Sequence, residues 1–363
     1  MALDPSFWRG RRVLLTGHTG FKGGWAAMWL QRLGASISGY ALAPQTNPSL
    51  YRAARIDNFV ASPIAEFCDI HDREALSSTF AATMPEIVIH MAAQPLVRVA
   101  FEQPLMTYST NVMGTANVLA AAHECGSVRT IVAVTSDKCY DLREGGEPRK
   151  ESDPLGGAEP YAASKAGAEF IAEGMRAMMT AGPERGEGNT GLATARGGNM
   201  LGGGDWSRDR LMPDLVAGAL GGQPVAIRNP DAVRPWQHVL DPLRGYFVLA
   251  QRLHQNAALF EGPWNFGPPA SHAVPVRHIA DAACALLDAG LTWRPDPAAH
   301  PPESRSLRLN SEKAAARLDW RSRLTLADAL DWSVRWYKKF DTGADARVLM
   351  EADIDRYEAL AVA

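Results

Sequence analysis

Tyr161 and Lys165 stand four residues apart in a segment that reads as helix, so their side chains leave the same face. A tyrosine hydroxyl with a pKa near 10 is a poor base at neutral pH. An ammonium one turn away, joined by a cationic nicotinamide ring, favours the phenolate and lowers that value. Tyr161 then takes a hydroxyl proton while hydride leaves the same carbon. Upstream, the triplet Ser136-Asp137-Lys138 closes an apolar, β-branched run, which places a hydroxyl, an acid and an amine at one strand end. Ligands of open parallel sheets bind at that edge. The chemistry these residues suggest is oxidation of a hydroxyl, followed by a step that needs both an acid and a base.

A dinucleotide site is expected at Thr16-Gly17-His18-Thr19-Gly20-Phe21-Lys22-Gly23, directly after the apolar Val13-Leu14-Leu15. Gly17 suits a tight turn off the strand, Gly20 lets the backbone approach a diphosphate, and Gly23 lets the next helix pack close. The helix N-terminus offers free N–H groups to phosphate oxygens. The phosphate-loop alternative fails on spacing, because Lys22 precedes Gly23 and no Ser or Thr follows. The segment after 36–40 is Ala41-Leu42-Ala43-Pro44, with neither the acid that would hold a ribose nor an adjacent Arg for a 2′-phosphate. That segment therefore leaves NAD versus NADP open. Asp69 is a candidate for the adenine end, with a helix N-cap as the competing reading.

The elements that must position these groups alternate. Strands are expected over 12–16, 36–40, 87–91, 130–136 and 192–196, and helices over 24–33, 72–83, 110–125 and 161–179. Short apolar strands between amphipathic helices predict an α/β, Rossmann-type, doubly wound parallel sheet, followed by a smaller mixed C-terminal substrate domain. The expected division is 1–198 with 233–268 for the dinucleotide domain and 199–232 with 269–363 for the substrate domain. Tracts 180–190 and 292–303, polar or rich in Pro and Gly, are expected to be surface loops.

Composition narrows the function classes. With 37 basic and 40 acidic side chains the net charge is -3, so no global field favours nucleic acid or anionic lipid. Cys68, Cys125, Cys139 and Cys284 form no C-x-x-C pair, so neither a disulfide framework nor a metal knuckle is expected. No apolar run is long enough for a membrane span and residues 1–12 do not read as a signal peptide, so a cytoplasmic enzyme is expected.

Taken together, Gly17-His18-Thr19-Gly20-Phe21-Lys22-Gly23, Ser136-Asp137-Lys138-Cys139-Tyr140, Tyr161-Ala162-Ala163-Ser164-Lys165, Arg196-Gly197-Gly198-Asn199, Gly202-Gly203-Gly204-Asp205-Trp206 and Arg234-Pro235-Trp236-Gln237-His238-Val239 resemble the extended short-chain dehydrogenase/reductases. Within that group the chain is similar, over nearly its whole length, to the nucleotide-sugar 4,6-dehydratases. The resemblance implies bound NAD and a nucleoside-diphosphate hexose, CDP-glucose, although no residue is tied to cytosine by its physics. It implies oxidation at C4, loss of water across C5 and C6, and return of the hydride to C6.

It also implies roles. Ser136, Tyr161 and Lys165 would handle the C4 hydroxyl, and Asp137 would protonate the C6 oxygen. Lys138 stands where the commoner pattern has a glutamate acting as the C5 base. Two readings stay open: neutral Lys138 as the base, or charged Lys138 stabilising the enolate. Cofactor contacts are implied for Gly17, Thr19, Gly20, Phe21, Lys22, Gly23, Asp69, Ile70, Met91, Ala92, Ala93, Tyr161 and Lys165. Substrate contacts are implied for Gln94, Asn111, Asn199, Arg208, Arg210, Arg234 and His238. Arg234 is suited to diphosphate because a guanidinium grips phosphate oxygens in pairs. Trp206 and Trp236 read as packing residues. No metal is expected, nor a nucleic-acid or membrane partner. A homodimer or dimer of dimers is, through 110–125 and 161–179, the latter carrying Met175, Met178 and Met179. A nucleotide-sugar 4-epimerase, a dehydratase of another nucleoside-diphosphate hexose and a non-catalytic dinucleotide sensor are the alternatives.

Overall fold

In a computed structural model, described over residues 3–142, 147–180, 190–287, 290–298 and 307–360, the strands that carry the expected site form one sheet. In chain order they are β1 (Arg12–Thr16), β2 (Ser36–Tyr40), β3 (Val60–Ala61), β4 (Ile87–His90), β5 (Thr130–Val134) and β6 (Gly191–Gly197). The short β7 (Met200–Leu201), β8 (Val225–Ile227), β9 (Val233–Pro235) and β10 (Gln237–His238) follow. β11 (Gly262–Phe266), β12 (Ala273–Pro275) and β13 (Trp293–Pro295) complete the set.

The main sheet has seven strands in the order β11-β6-β5-β4-β1-β2-β3, every neighbouring pair parallel. All five residues of β5 and all four of β4 are buried, as strands covered on both faces must be. Alternate residues feed two cores: Val13, Leu15, Ile87, Ile89 and Val132 point into one, Leu14, Val88 and Ile131 into the other. Helix Leu240–Gln255, almost wholly buried, covers the first face next to β5 and β6. Helices Thr115–Glu124 and Pro160–Thr180 pack together over the second. The α/β doubly wound expectation is thus borne out.

Several expected boundaries move. The glycine-loop helix is Phe21–Arg32 and begins inside the loop rather than at 24, because Gly20 caps it with backbone alone. The span 110–125 is not one regular helix: Ser109–Gly114 is a turn of π-helix and Thr115–Glu124 is α. Ile70 fills the place a side chain at 114 would take, 2.4 Å from an ideal Cβ there. Within 292–303, Trp293–Pro295 is strand, paired with β8, rather than loop. Residues 181–189 and 299–303 of the expected loops lie outside the described residues.

The chain order reverses between β1 and β4, so a crevice opens at their C-terminal ends. Gly17, Met91 and Gly198 follow directly on sheet strands at that edge, and Ser136 follows β5 with Thr135 between them. The ladders β7–β10 and β9–β12 bring 199–201 and 233–238 to the same side of the molecule.

Candidate functional site

The cofactor end is built from backbone. Gly17 has φ +76°, and a Cβ there would lie 2.7 Å from the backbone nitrogen of Ala92. Only glycine satisfies both the left-handed turn and the close approach. A Cβ at Gly20 would meet nothing nearer than 3.5 Å, so the loop leaves room above the first turn of helix Phe21–Arg32. That turn presents unpaired N–H groups and the positive end of the helix dipole. The cradle fits a dinucleotide diphosphate.

Thr16 fixes the neighbouring segment. Its hydroxyl oxygen accepts from the N–H of Met91 at 3.0 Å and of Ala92 at 3.1 Å, and lies 2.7 Å from His90 Nδ1. His90 also meets the Thr115 hydroxyl at 3.1 Å, so it is a satisfied core histidine. Thr19 donates its hydroxyl to the Leu42 carbonyl at 2.8 Å, tying the loop to the segment after β2. Asp69 is not the N-cap: Asp72 caps the helix, while the Asp69 carboxylate accepts from the His71 N–H at 3.0 Å and is half-exposed. Ile70 is buried beside it.

The reactive corner follows β5. A short 3-10 turn, Asp137–Cys139, is set by Ser136, whose oxygen accepts from the Lys138 N–H at 3.2 Å and whose hydroxyl donates to Asp137 Oδ1 at 3.0 Å. Asp137 is buried and its Oδ2 has no hydrogen-bond partner among the described residues. Burial pushes its carboxyl up, opposed by the Lys138 charge, the Ser136 hydroxyl and Arg234. Helix Pro160–Thr180 is started by the Glu159 carboxylate, which accepts from the N–H groups of Tyr161 at 2.7 Å and Ala162 at 2.9 Å. Tyr161, Lys165 and Glu169 then share one helix face. Lys138 Nζ and Lys165 Nζ lie 5.9 and 6.0 Å from the centre of the Tyr161 ring.

The charge balance differs from the sequence expectation. Burial pushes the Tyr161 hydroxyl up to about 12, with the Ser136 hydrogen bond opposing and Asp137 adding to the rise. On the protein's own charges it is a phenol at neutral pH. Burial brings Lys165 down to about 8, countered by Cys139 and Glu169. Lys22 falls to about 7 through burial and the cations Arg210 and Lys165, with Asp137 pulling it back, which places the loop lysine beside the reactive corner.

The expected substrate residues divide. Arg234 is buried, donates Nη1 to the Val233 carbonyl at 3.0 Å and bears on Asp137. Arg210 pairs with Asp205 at 3.2 Å and its charge bears on Tyr161, whereas Arg208 is exposed. Asn199 accepts the Gln237 N–H on its carbonyl at 3.1 Å. Gln94 and Asn111 lock onto each other instead of offering free amides. The Gln94 N–H donates to Asn111 Oδ1 at 2.8 Å, and Asn111 Nδ2 donates to the Gln94 carbonyl at 3.0 Å and to the Ser164 hydroxyl at 2.8 Å. His238 lies in the core. It has no exposed surface, and its ring lies edge-on between Trp25 and Trp332 in the aromatic core. Trp206 packs on Phe340, and Trp236 is buried with its indole N–H on the Val274 carbonyl at 3.3 Å.

Three features escaped sequence reasoning. Thr16 organises the Met91–Ala92 backbone. Glu169 and Arg196 form a buried ion pair at 2.7 Å behind the reactive corner. Tyr246, on helix Leu240–Gln255, holds a buried hydroxyl without a partner. Of these, only Glu169 carries a sequence signal, its i+4 spacing from Lys165.

A family model described as the NAD dependent epimerase/dehydratase family matches residues 13–265. The chain is 44% identical over 355 residues to CDP-glucose 4,6-dehydratase of Salmonella typhimurium, covering 98% of each. Among solved structures it is similar to dTDP-glucose 4,6-dehydratase of Streptomyces venezuelae, with a TM-score of 0.73, 24% identity, and 90% of this chain and 97% of that one covered. It is also similar to UDP-glucose 4-epimerase of Stenotrophomonas maltophila, with a TM-score of 0.77, 21% identity, and 92% and 100% covered.

Proposed function

The chain belongs to the NAD-dependent epimerase/dehydratase family, and on that premise we propose that it converts CDP-glucose to CDP-4-dehydro-6-deoxy-D-glucose. The nucleobase is carried by the full-length 44% relation to an enzyme named for CDP-glucose. Dehydration rather than epimerisation is carried by one observation: a buried carboxyl, Asp137, pushed up by burial and holding one oxygen without a partner beside Tyr161. A 4-epimerase has no water to release and no use for such an acid.

Bound NAD supplies a hydride acceptor that is restored within each turnover. The loop from Gly17 to Gly23 and the N-terminus of helix Phe21–Arg32 hold its diphosphate. Tyr161 takes the C4 hydroxyl proton and Ser136 orients that oxygen; the Ser136 hydrogen bond and the Arg210 charge oppose the burial that keeps the phenol protonated, and Lys165 Nζ stands 6.0 Å from the ring centre. Asp137 gives its proton to the departing C6 oxygen. Lys138, its Nζ 5.9 Å from the centre of the Tyr161 ring, serves the C5 step, as the base where its amine is neutral or as the charge that steadies the enolate. Arg234 and Arg210 supply positive charge for the nucleotide diphosphate.

The substrate then lies between the sheet edge and segments 199–232 and 269–363, which we take as the sugar-nucleotide domain. A homodimer fits the apolar side chains left in the open on adjoining elements: Leu105, Met106, Met113, Phe170 and Met178. No helix of the described residues is long and apolar enough to cross a membrane. Four unpaired cysteines suit a reducing cytoplasm.

Incubation with CDP-, dTDP-, GDP- and UDP-hexoses tests the reading by mass. Loss of one water from CDP-glucose, with a 4-keto product, is expected; an isomer of unchanged mass makes the chain an epimerase. Tyr161→Phe is expected to lower turnover by at least about 10²-fold, and parent-like turnover in it would remove the phenol from the reaction.

A further inference from the structure

The chain passes the reactive corner through two consecutive glycines at the end of β6, and the two face opposite ways. A Cβ on Gly197 would lie 2.7 Å from the Tyr246 hydroxyl, while one on Gly198 would lie 2.7 Å from Asp137 Oδ2. At such a distance a neighbour has to shift, and at Gly198 the atom that would have to move is the carboxyl oxygen of Asp137. Pro235 Cγ also stands 3.2 Å from the same point. Gly198 is not among the residues with left-handed φ, so its backbone conformation alone does not demand glycine. What demands it is the carboxyl oxygen.

That oxygen matters because its twin is already taken. Ser136 donates to Asp137 Oδ1 at 3.0 Å, and Oδ2 is buried with no partner. We propose that Gly198 is a positioning residue for water elimination: the missing Cβ leaves the slot in which the free oxygen of Asp137 stands, aimed at the sugar's C6 oxygen. In the step it serves, a base, Lys138 where its amine is neutral, takes the C5 proton, and the C5–H electron pair forms the C5–C6 double bond as the C6–O bond breaks. The proton on Asp137 passes to the departing oxygen, water leaves, and Asp137 is left as carboxylate. The inference rests on the dehydratase reading above, specifically on Asp137 as the acid.

The test uses Gly198→Ala and two substrates, CDP-glucose and CDP-6-deoxy-6-fluoroglucose. Fluoride departs as an anion and needs no proton, so the second substrate bypasses the acid. Water loss from CDP-glucose is expected to fall on the order of 10²-fold in G198A while fluoride release stays within about a few-fold of the parent. Parent-rate water loss, or equal slowing of both substrates, overturns the proposal. Should G198A not fold, Asp137→Glu drives a longer carboxyl at the same glycine without touching the strand. It is expected to lose water elimination and keep fluoride release, and parent-rate dehydration in D137E overturns the slot. Asp137→Asn separates the two levels. If D137N dehydrates normally, the acid assignment itself is wrong; if D137N blocks water loss while G198A does not, only the role of Gly198 fails.

Discussion

Two carboxylates at the C-terminal edge of the sheet are almost equally hidden, Glu169 at 4% exposure and Asp137 at 3%, yet they are supplied in opposite ways. Glu169 is surrounded by donors. The Thr135 hydroxyl reaches one oxygen at 2.5 Å; the other accepts the Thr194 hydroxyl at 2.8 Å and Arg196 Nη2 at 2.7 Å. Arg196 is held in turn by Tyr140, whose hydroxyl oxygen accepts from Nη1 at 2.8 Å and whose proton goes to Asn265 Oδ1 at 2.7 Å. Asp137 has one hydroxyl on one oxygen and nothing on the other. A fully supplied buried carboxylate is an anchor, here tying helix Pro160–Thr180 to β5 and β6. A half-supplied one has its carboxyl pushed up by burial and an oxygen that accepts from none of the described residues.

The largest effect expected from breaking this contrast is Glu169→Gln. It leaves the Arg196 charge buried without its counter-ion, and removing one member of a buried pair costs about 3–5 kcal/mol. Denaturant unfolding should register a loss of that size, and Tyr161 and Lys165 should lose activity with it because they share the helix. A change under about 1 kcal/mol would mean the pair is no anchor.

Asp137→Asn is expected to do the reverse. Water elimination should fall by about 10²–10⁴-fold with folding left intact. Stability should even change in its favour as pH rises. The folded pKa of Asp137 lies above the ordinary 3.8, so just above that value the unfolded chain binds fewer protons than the native one. The parent therefore loses stability as pH climbs from 3.8 through the raised folded pKa, and D137N lacks that slope. Unfolding curves of both proteins across that window check the sign; a D137N protein that weakens relative to the parent with rising pH would place Asp137 with the anchors.

The contrast also explains what could be read from the chain beforehand. The sheet was legible because strands such as Thr130–Val134 are apolar along their whole length, and short-range pattern suffices to find them. Tyr161 and Lys165 were legible because one helix carries both. The π-turn at Ser109–Gly114 was not, and the Ile70 side chain that packs on Gly114 comes from far away in sequence. The buried setting of His238 was not legible either: Trp25 and Trp332, whose rings lie against it, are separated from it by long stretches of chain. The supply of donors to Glu169 comes from Thr135, just past β5, and from β6, and the space at Gly198 is bounded by Asp137 and Pro235. Such three-dimensional neighbourhoods leave no periodicity in the sequence.

The smallest effect sharpens the anchor side. Tyr140→Phe removes one hydroxyl that both accepts from Arg196 and donates to Asn265, but leaves the ion pair and the ring's volume in place. Arg196 Nη1 retains the Glu151 carbonyl at 3.2 Å, and its guanidinium carbon still lies 4.9 Å from the ring centre. Loss of one buried hydrogen-bonding group with partial compensation is worth about 1–3 kcal/mol, well short of losing the pair. Because Tyr140 ends the turn that holds Asp137 and Lys138, the same variant should slow turnover without changing the ratio of water loss to fluoride release. If that ratio fell as it is expected to in G198A, Tyr140 would be positioning the acid, and the boundary between anchor and reactive carboxyl would lie nearer Asp137 than the hydrogen bonds imply.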